Sequence, residues 1–338
     1  MTPAIFGLSG PVLTHDERAF FREADPAGYI VFGRNVENRG QLRALTDDLR
    51  AIHGRERLLV SIDQEGGRVA RMRPPEWDSF PSGEAFARLW DLAPPSAIEA
   101  ARANAEALGQ ALAEVGITVD YWPVLDLRRP GTHDAIGDRA LGGEPMQIAA
   151  LGRAILDGLA RAGIAGCIKH MPGHGLARAD SHKELPIIEV GEDELEIDIE
   201  PFRTLADAPI GMTAHLRFTA WDRDNPATQS AYIIREIIRR RIGFGGLLLS
   251  DDIYMEALSG GIAERGAAAL AAGCDVVLNC HGDVADMAEV ADALPPLSGD
   301  AAMRLDRALA NTGKASNADH AELIAKRDAL LDLARHEA

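Results

Sequence analysis

Cysteine is scarce: Cys167, Cys274 and Cys280 are the only three in 338 residues. They sit in or beside apolar runs, show no metal-ligand spacing and cannot all pair with one another, which argues against a disulfide scaffold and fits a reducing compartment. Basic charge is also in deficit, with 35 Lys plus Arg against 52 Asp plus Glu and a formal charge of −17. Such a field repels phosphate backbones and anionic membranes, so a nucleic-acid partner is not expected, and the acidity reads first as a means of solubility. No apolar run approaches the roughly 18 residues of a membrane span, and the opening residues lack the basic segment and long apolar core of a signal peptide. The expectation is a cytoplasmic protein. Neither GxGxxG nor GxxxxGK[ST] follows any apolar run, which removes the common nucleotide phosphate cradles.

What the chain does have is a repeated alternation. Short runs rich in Val, Ile and Leu recur at 4 to 10, 28 to 33, 57 to 64, 119 to 126, 166 to 170, 209 to 215, 246 to 252 and 274 to 280, giving eight candidate strands. Amphipathic stretches separate them, such as 14 to 24, where Thr14 and Glu17 make a capping-box pattern, and 100 to 116, which ends on a C-terminal Gly. Eight strand–helix units predict an α/β fold: a single (β/α)8 barrel over residues 1–338, regular or irregular, with 300–338 as helical padding on its outside. The Pro-containing segments near 74 to 81 and at 94 to 95 read as loops, with WDSFPS along the rim. A doubly wound open sheet is the structural alternative. Closure is favoured because nearly every run ends in a charged or imidazole group: Asp63, Asp126, Lys169, His170, His215, Asp251 and Asp252. In such barrels the C-terminal strand ends build the active site.

The densest chemistry lies in IKHMPGHGLARADSHKELP, 168 to 186. Lys169 and His170 end a buried strand that Pro172 and Gly173 stop, so the remainder is loop. Asp180 and His182 are two residues apart, close enough for the carboxylate to fix the tautomer of the ring and raise its proton affinity, leaving an acid/base group near neutral pH. His170, His174 and His182 invite a zinc reading. However, Pro172 and Gly173 forbid the helix that would place the two imidazoles of HMPGH on one face, so no metal is expected and His174 is assigned to holding the turn.

Two further segments complete the pattern. GLLLSDD delivers adjacent carboxylates whose side chains alternate, so one faces the axis and the other caps a helix or binds a loop. A carboxylate facing an anomeric carbon can attack it and form a covalent glycosyl intermediate. In VSIDQEGGRVARMR, Asp63 can accept sugar hydroxyls, and Gly66 and Gly67 turn the chain towards Arg68 and Arg71. With Arg139 from another loop these read as a cradle for a polar ligand, neutral or anionic.

Taken together, KHMPGHG followed by DSH, with DQEGGRV and SDD, resembles the family 3 glycoside hydrolases, and within them the single-domain bacterial β-N-acetylglucosaminidases of peptidoglycan recycling, from about residue 5 to residue 285. The resemblance implies that Asp251 is the nucleophile, His182 the acid/base and Asp180 its partner. It implies that Asp63, Arg71, Arg139, Lys169 and His170 grip the N-acetylglucosamine unit. Two positions depart from the family's habit, Met171 where Phe is usual and Tyr254 where a small residue is common; neither is catalytic. The expected function is a retaining exo-β-N-acetylglucosaminidase acting on N-acetylglucosamine linked to anhydro-N-acetylmuramic acid, with or without peptide. It would work as a monomer on a small carbohydrate, without cofactor. Phosphorolysis on the same scaffold, a metal-dependent hydrolase and a non-catalytic sugar-binding barrel are the alternatives.

Overall fold

A computed structural model describes residues 1–334. In chain order its strands are β1 (Thr2–Gly7), β2 (Pro26–Val31), β3 (Leu59–Ile62), β4 (Val119–Asp120), β5 (Ala165–Met171), β6 (Ile187–Ile188), β7 (Ile210–Thr213), β8 (Arg217–Phe218), β9 (Leu247–Asp252) and β10 (Val276–Asn279). β6 and β8 pair by themselves, and the other eight close a barrel in the order β1-β10-β9-β7-β5-β4-β3-β2, every pairing parallel. All eight predicted runs are therefore barrel strands.

Strand alternation sorts the side chains into two cores. Ile5, Ile30, Leu59, Val119, Cys167, Met212, Leu249 and Leu278 point inward and fill the barrel. Phe6, Tyr29, Val60, Ile168, Leu248 and Val277 point outward and meet the surrounding helices. The irregularity is concentrated in β4, where the ladder stops after two residues and resumes at a single bridge between Val124 and Lys169. Pro123 explains the gap, since it has no N–H to give a neighbouring strand.

The helices are α1 (His15–Ala24), α2 (Arg39–His53), α3 (Gly83–Leu92), α4 (Pro94–Glu114), α5 (Pro145–Arg161), α6 (Glu192–Thr204), α7 (Ile262–Ala272), α8 (Val284–Ala293), α9 (Gly299–Leu309) and α10 (His320–Leu331), with a π-helix over Ile233–Ile242. The Thr14–Glu17 capping box forms as predicted. Residues 94 and 95, expected in a loop, instead open α4, because proline fits the first helical turn, where its missing N–H has no partner to lose. WDSFPS does not line the rim: Trp77 and Phe80 are buried in the outer core, under the guanidinium groups of Arg39 and Arg327 respectively.

The stretch 300–338 divides between two positions, with 335–338 outside the described residues. α10 packs on α4 on the outer wall. α9 sends Leu305, Ala308 and Leu309 into the inward-facing core, across the end where the strands begin, and Arg304 is anchored on Asp275 at 2.6 Å. Among the described residues no helix is long and apolar enough to cross a membrane.

Candidate active site

The opposite end of the barrel, where the strands finish, holds a cavity of about 320 Å³. All eight residues singled out from the sequence line it: Asp63, Arg71, Arg139, Lys169, His170, Asp180, His182 and Asp251. They come from the segment that follows β3, the loop after β4, the end of β5, the loop that follows it, and the end of β9.

One wall is a chain of alternating charge. Arg71 Nη2 lies 3.2 Å from Asp63 Oδ2, and Lys169 Nζ lies 2.9 Å from Asp63 Oδ1 and 2.8 Å from Glu65 Oε1. Arg139 then grips Glu65 with both arms, Nη2 to Oε1 at 2.7 Å and Nε to Oε2 at 2.8 Å. Burial alone would raise the pKa of the Glu65 carboxyl, but Arg139 and Lys169 hold it well below the usual carboxylate range. Burial likewise opposes charge on Lys169, and Asp63 and Glu65 more than offset it, so the ammonium stays protonated. Sequence reasoning missed Glu65: the residue was visible in DQEGG, but its partners lie 74 and about 100 residues away. Arg68 is spent differently from the expected cradle, binding Asp138 at 2.6 Å and the Asp134 carbonyl at 2.6 Å.

The opposite wall is the end of β9. Asp251 Oδ1 accepts the Asp252 N–H at 2.8 Å. Burial pushes its pKa up, but the facing His170 and His215 and the Asp252 N–H pull harder the other way, leaving an ionised carboxylate. Asp252 differs. Its Oδ1 receives the N–H groups of Tyr254 at 3.2 Å and Cys280 at 3.3 Å, tying β9 to β10, and burial, with Asp251 beside it, pushes its carboxyl up to about 6. His215, just past β7, clamps this strand end, with Nε2 3.0 Å from the Asp252 carbonyl and Nδ1 2.7 Å from Thr228 Oγ1. Tyr254, the departure noted above, stacks on His281 at 3.5 Å.

Asp126, at the end of the fourth predicted strand run, organises the third side. Its Oδ2 holds His170 Nδ1 at 2.7 Å, and its Oδ1 takes the backbone N–H of His174 at 2.8 Å. The second ring nitrogen of His170 is left for the cavity. Burial pushes the enclosed His174 imidazole down to about 4, so the ring is neutral; its Nε2 lies 3.4 Å from Ser181 Oγ. From this base the chain runs to the Asp180–His182 couple. Asp180 Oδ1 accepts both the His182 ring Nδ1–H at 2.8 Å and its backbone N–H at 3.0 Å. These two bonds outweigh the modest desolvation of Asp180 and lower its pKa. The His182 side chain is 69% exposed, with Nε2 directed away from Asp180. Among the described residues no group of three or more metal-ligating side chains comes together.

An ionised carboxylate at a barrel strand end, an imidazole held by a carboxylate on a loop over the same cavity, and a wall of paired charges define a glycoside hydrolase. The comparisons agree. The chain belongs to family 3 of the glycosyl hydrolases, whose N terminal domain matches residues 10–309. It is 40% identical to a beta-hexosaminidase of Bordetella avium (strain 197N) over 290 residues, covering 84% of this chain and 82% of that protein. A beta-hexosaminidase of Chromobacterium violaceum is 36% identical over 335 residues, 96% of this chain and 91% of that one. The structure superposes on NagZ from Neisseria gonorrhoeae, solved with N-trifluoroacetyl-D-glucosamine, with TM-score 0.86, 32% identity and 98% of each chain covered.

Proposed function

We propose that this protein is a retaining exo-β-N-acetylglucosaminidase in which Asp251 is the nucleophile and His182 the acid/base. The observation that carries the reading is the pair of oppositely prepared groups on one cavity: an ionised Asp251 and a ring whose Nδ1 is committed to Asp180. In the first step an Asp251 oxygen attacks C1 of the terminal sugar, the C1–O bond to the leaving group breaks, and the Nε2 proton of His182 passes to the departing oxygen. In the second, neutral His182 takes a proton from water as the water oxygen attacks C1, and the Asp251–C1 bond breaks. Asp180 stabilises the imidazolium that enters the first step and that the second step restores.

Asp63, Arg71, Arg139, Lys169 and His170 would bind the hydroxyl and acetamido groups. Arg71, Lys169 and Arg139 share two carboxylates, Asp63 and Glu65, so the wall offers a row of paired hydrogen-bonding groups suited to a polyhydroxylated sugar. The intended substrate is a small peptidoglycan fragment with N-acetylglucosamine β-linked to anhydro-N-acetylmuramic acid, with or without peptide. The enzyme would act as a cytoplasmic monomer.

The test is hydrolysis of aryl β-N-acetylglucosaminides of graded leaving-group acidity, beside the matching glucosides and N-acetylgalactosaminides. Asp251→Ala should lower turnover by several orders of magnitude on every substrate with the fold preserved. His182→Ala should be most harmful for poor leaving groups. Equal losses across the series would remove His182 from the acid role, and sugar 1-phosphate formed in phosphate buffer would replace hydrolysis by phosphorolysis.

A further inference from the structure

The loop that carries His182 is bonded to a second loop, residues 127–142, which also carries Arg139. Two hydrogen bonds join them and an ion pair to α6 backs the turn. Thr132 Oγ1 lies 2.6 Å from the Gly175 carbonyl, the His133 N–H donates to the Ala177 carbonyl at 2.9 Å, and Arg129 binds Asp198 of α6 at 2.5 Å, directly behind the turn. A Cβ on Gly175 would stand 2.6 Å from the Leu127 carbonyl and 2.7 Å from Asp198 Oδ1, so the turn is seated against both.

The hydroxyl proton of Thr132 has two acceptors within reach, the Gly175 carbonyl and the Arg129 carbonyl at 2.9 Å. The Arg129 carbonyl is already served by the Thr132 N–H at 3.1 Å, and Thr132 Oγ1 in turn accepts the Arg129 N–H at 2.8 Å. The Gly175 carbonyl is the nearer acceptor, at 2.6 Å against 2.9 Å, and Thr132 closes a small ring on its own loop while reaching across to the other. On its far side this second loop is fastened to the sugar wall by Arg139 on Glu65 and by Arg68 on the Asp134 and Ala135 carbonyls.

We infer that Thr132 is a positioning residue: it makes loop 127–142 a strut between the sugar wall and the His182 loop, so that a sugar held at Arg139 sets where the imidazole stands. This rests on the acid role proposed for His182. The strut touches Gly175 and Ala177 and leaves the segment around Asp180 and His182 to its own bonds, so its loss should misplace the ring without emptying the sugar wall.

The experiment compares Thr132→Val, which keeps the shape and removes the hydroxyl, with Thr132→Ser, which restores it, and with His182→Ala. For Thr132→Val we expect kcat to fall about five- to tenfold on a poor leaving group, the scale of one lost hydrogen bond, and less than about twofold on an activated aryl glycoside. Inhibition by free N-acetylglucosamine should be unchanged, and Thr132→Ser should recover the loss. Amide exchange over 172–186 should accelerate in Thr132→Val while the barrel strands keep their protection. If His182→Ala shows no dependence on the leaving group, the acid assignment itself fails. If His182→Ala shows it and Thr132→Val does not, or if exchange over 172–186 is unaltered, the strut is overturned.

Discussion

Replacing Glu65 by Gln removes one negative charge from the middle of the charged wall, and its cost can be worked out from the contacts. Glu65 is 3% exposed and receives three charge-assisted hydrogen bonds, two from Arg139 and one from Lys169. Gln offers a single oxygen acceptor; placed where Oε1 stands it still meets Lys169 and Arg139 Nη2, but without charge, and its NH2 group is turned towards Arg139 Nε. Lys169 keeps Asp63, but Arg139 loses its only carboxylate partner at bonding distance among the described residues. Breaking a buried pair by removing one member costs about 3–5 kcal/mol. The entropy of unfolding for a chain of 338 residues is about 0.7 kcal/mol per degree, so the melting temperature at pH 7 should fall by about 4–7 °C. Because the folded-state pKa of Glu65 lies below its ordinary value of 4.5, its contribution is fully present above that pH and is lost as the pH falls further. Scanning calorimetry of wild type and Glu65→Gln between pH 7 and 3.5 measures both effects. A variant within about 1 °C of wild type at pH 7, or a gap that fails to narrow below pH about 4.5, would refute this account of the charged wall.

Two further outcomes follow from other parts of the site. Asp252, raised to about 6, favours the fold in its protonated form, and that advantage is lost as the pH rises through 6. Asp252→Asn keeps an oxygen for the Tyr254 and Cys280 N–H groups, so at pH 7.5 it should melt at or above wild type, with wild type gaining on it between pH 6 and 4. Gly175→Ala forces a methyl group against the Leu127 carbonyl and Asp198. It should lower kcat on poor leaving groups by about tenfold or more while the melting temperature moves by less than about 2 °C, as read by steady-state kinetics beside calorimetry.

The barrel was legible because its strands repeat one signature: a short apolar run ending in a polar group. The end of β9 was legible for the same reason, though the preparation of Asp251 and Asp252 was not, since it depends on His215 and Cys280 brought in by neighbouring strands. The Asp180–His182 couple needed only local geometry and was found directly. Glu65 and Asp126 show the opposite case. Each was in view as a carboxylate, but what a buried carboxylate does is decided by the cations and N–H groups that folding brings to it. Pro94 and Pro95 misled because proline both breaks helices and begins them. α9 misled because an amphipathic helix reads alike whether its apolar stripe meets an outer wall or closes off a barrel's interior.

That last placement reaches beyond the resting molecule. A nascent chain that has delivered every strand from β1 to β9 still has β1 without its second neighbour, and the floor beneath the assembled sheet stays open until Leu305, Ala308 and Leu309 emerge. Synthesis must therefore pass α9 before the interior is dry. Shortening the chain short of residue 309 should strand a nearly complete barrel in an aggregation-prone form, whereas a cut between α9 and α10 leaves that seal in place.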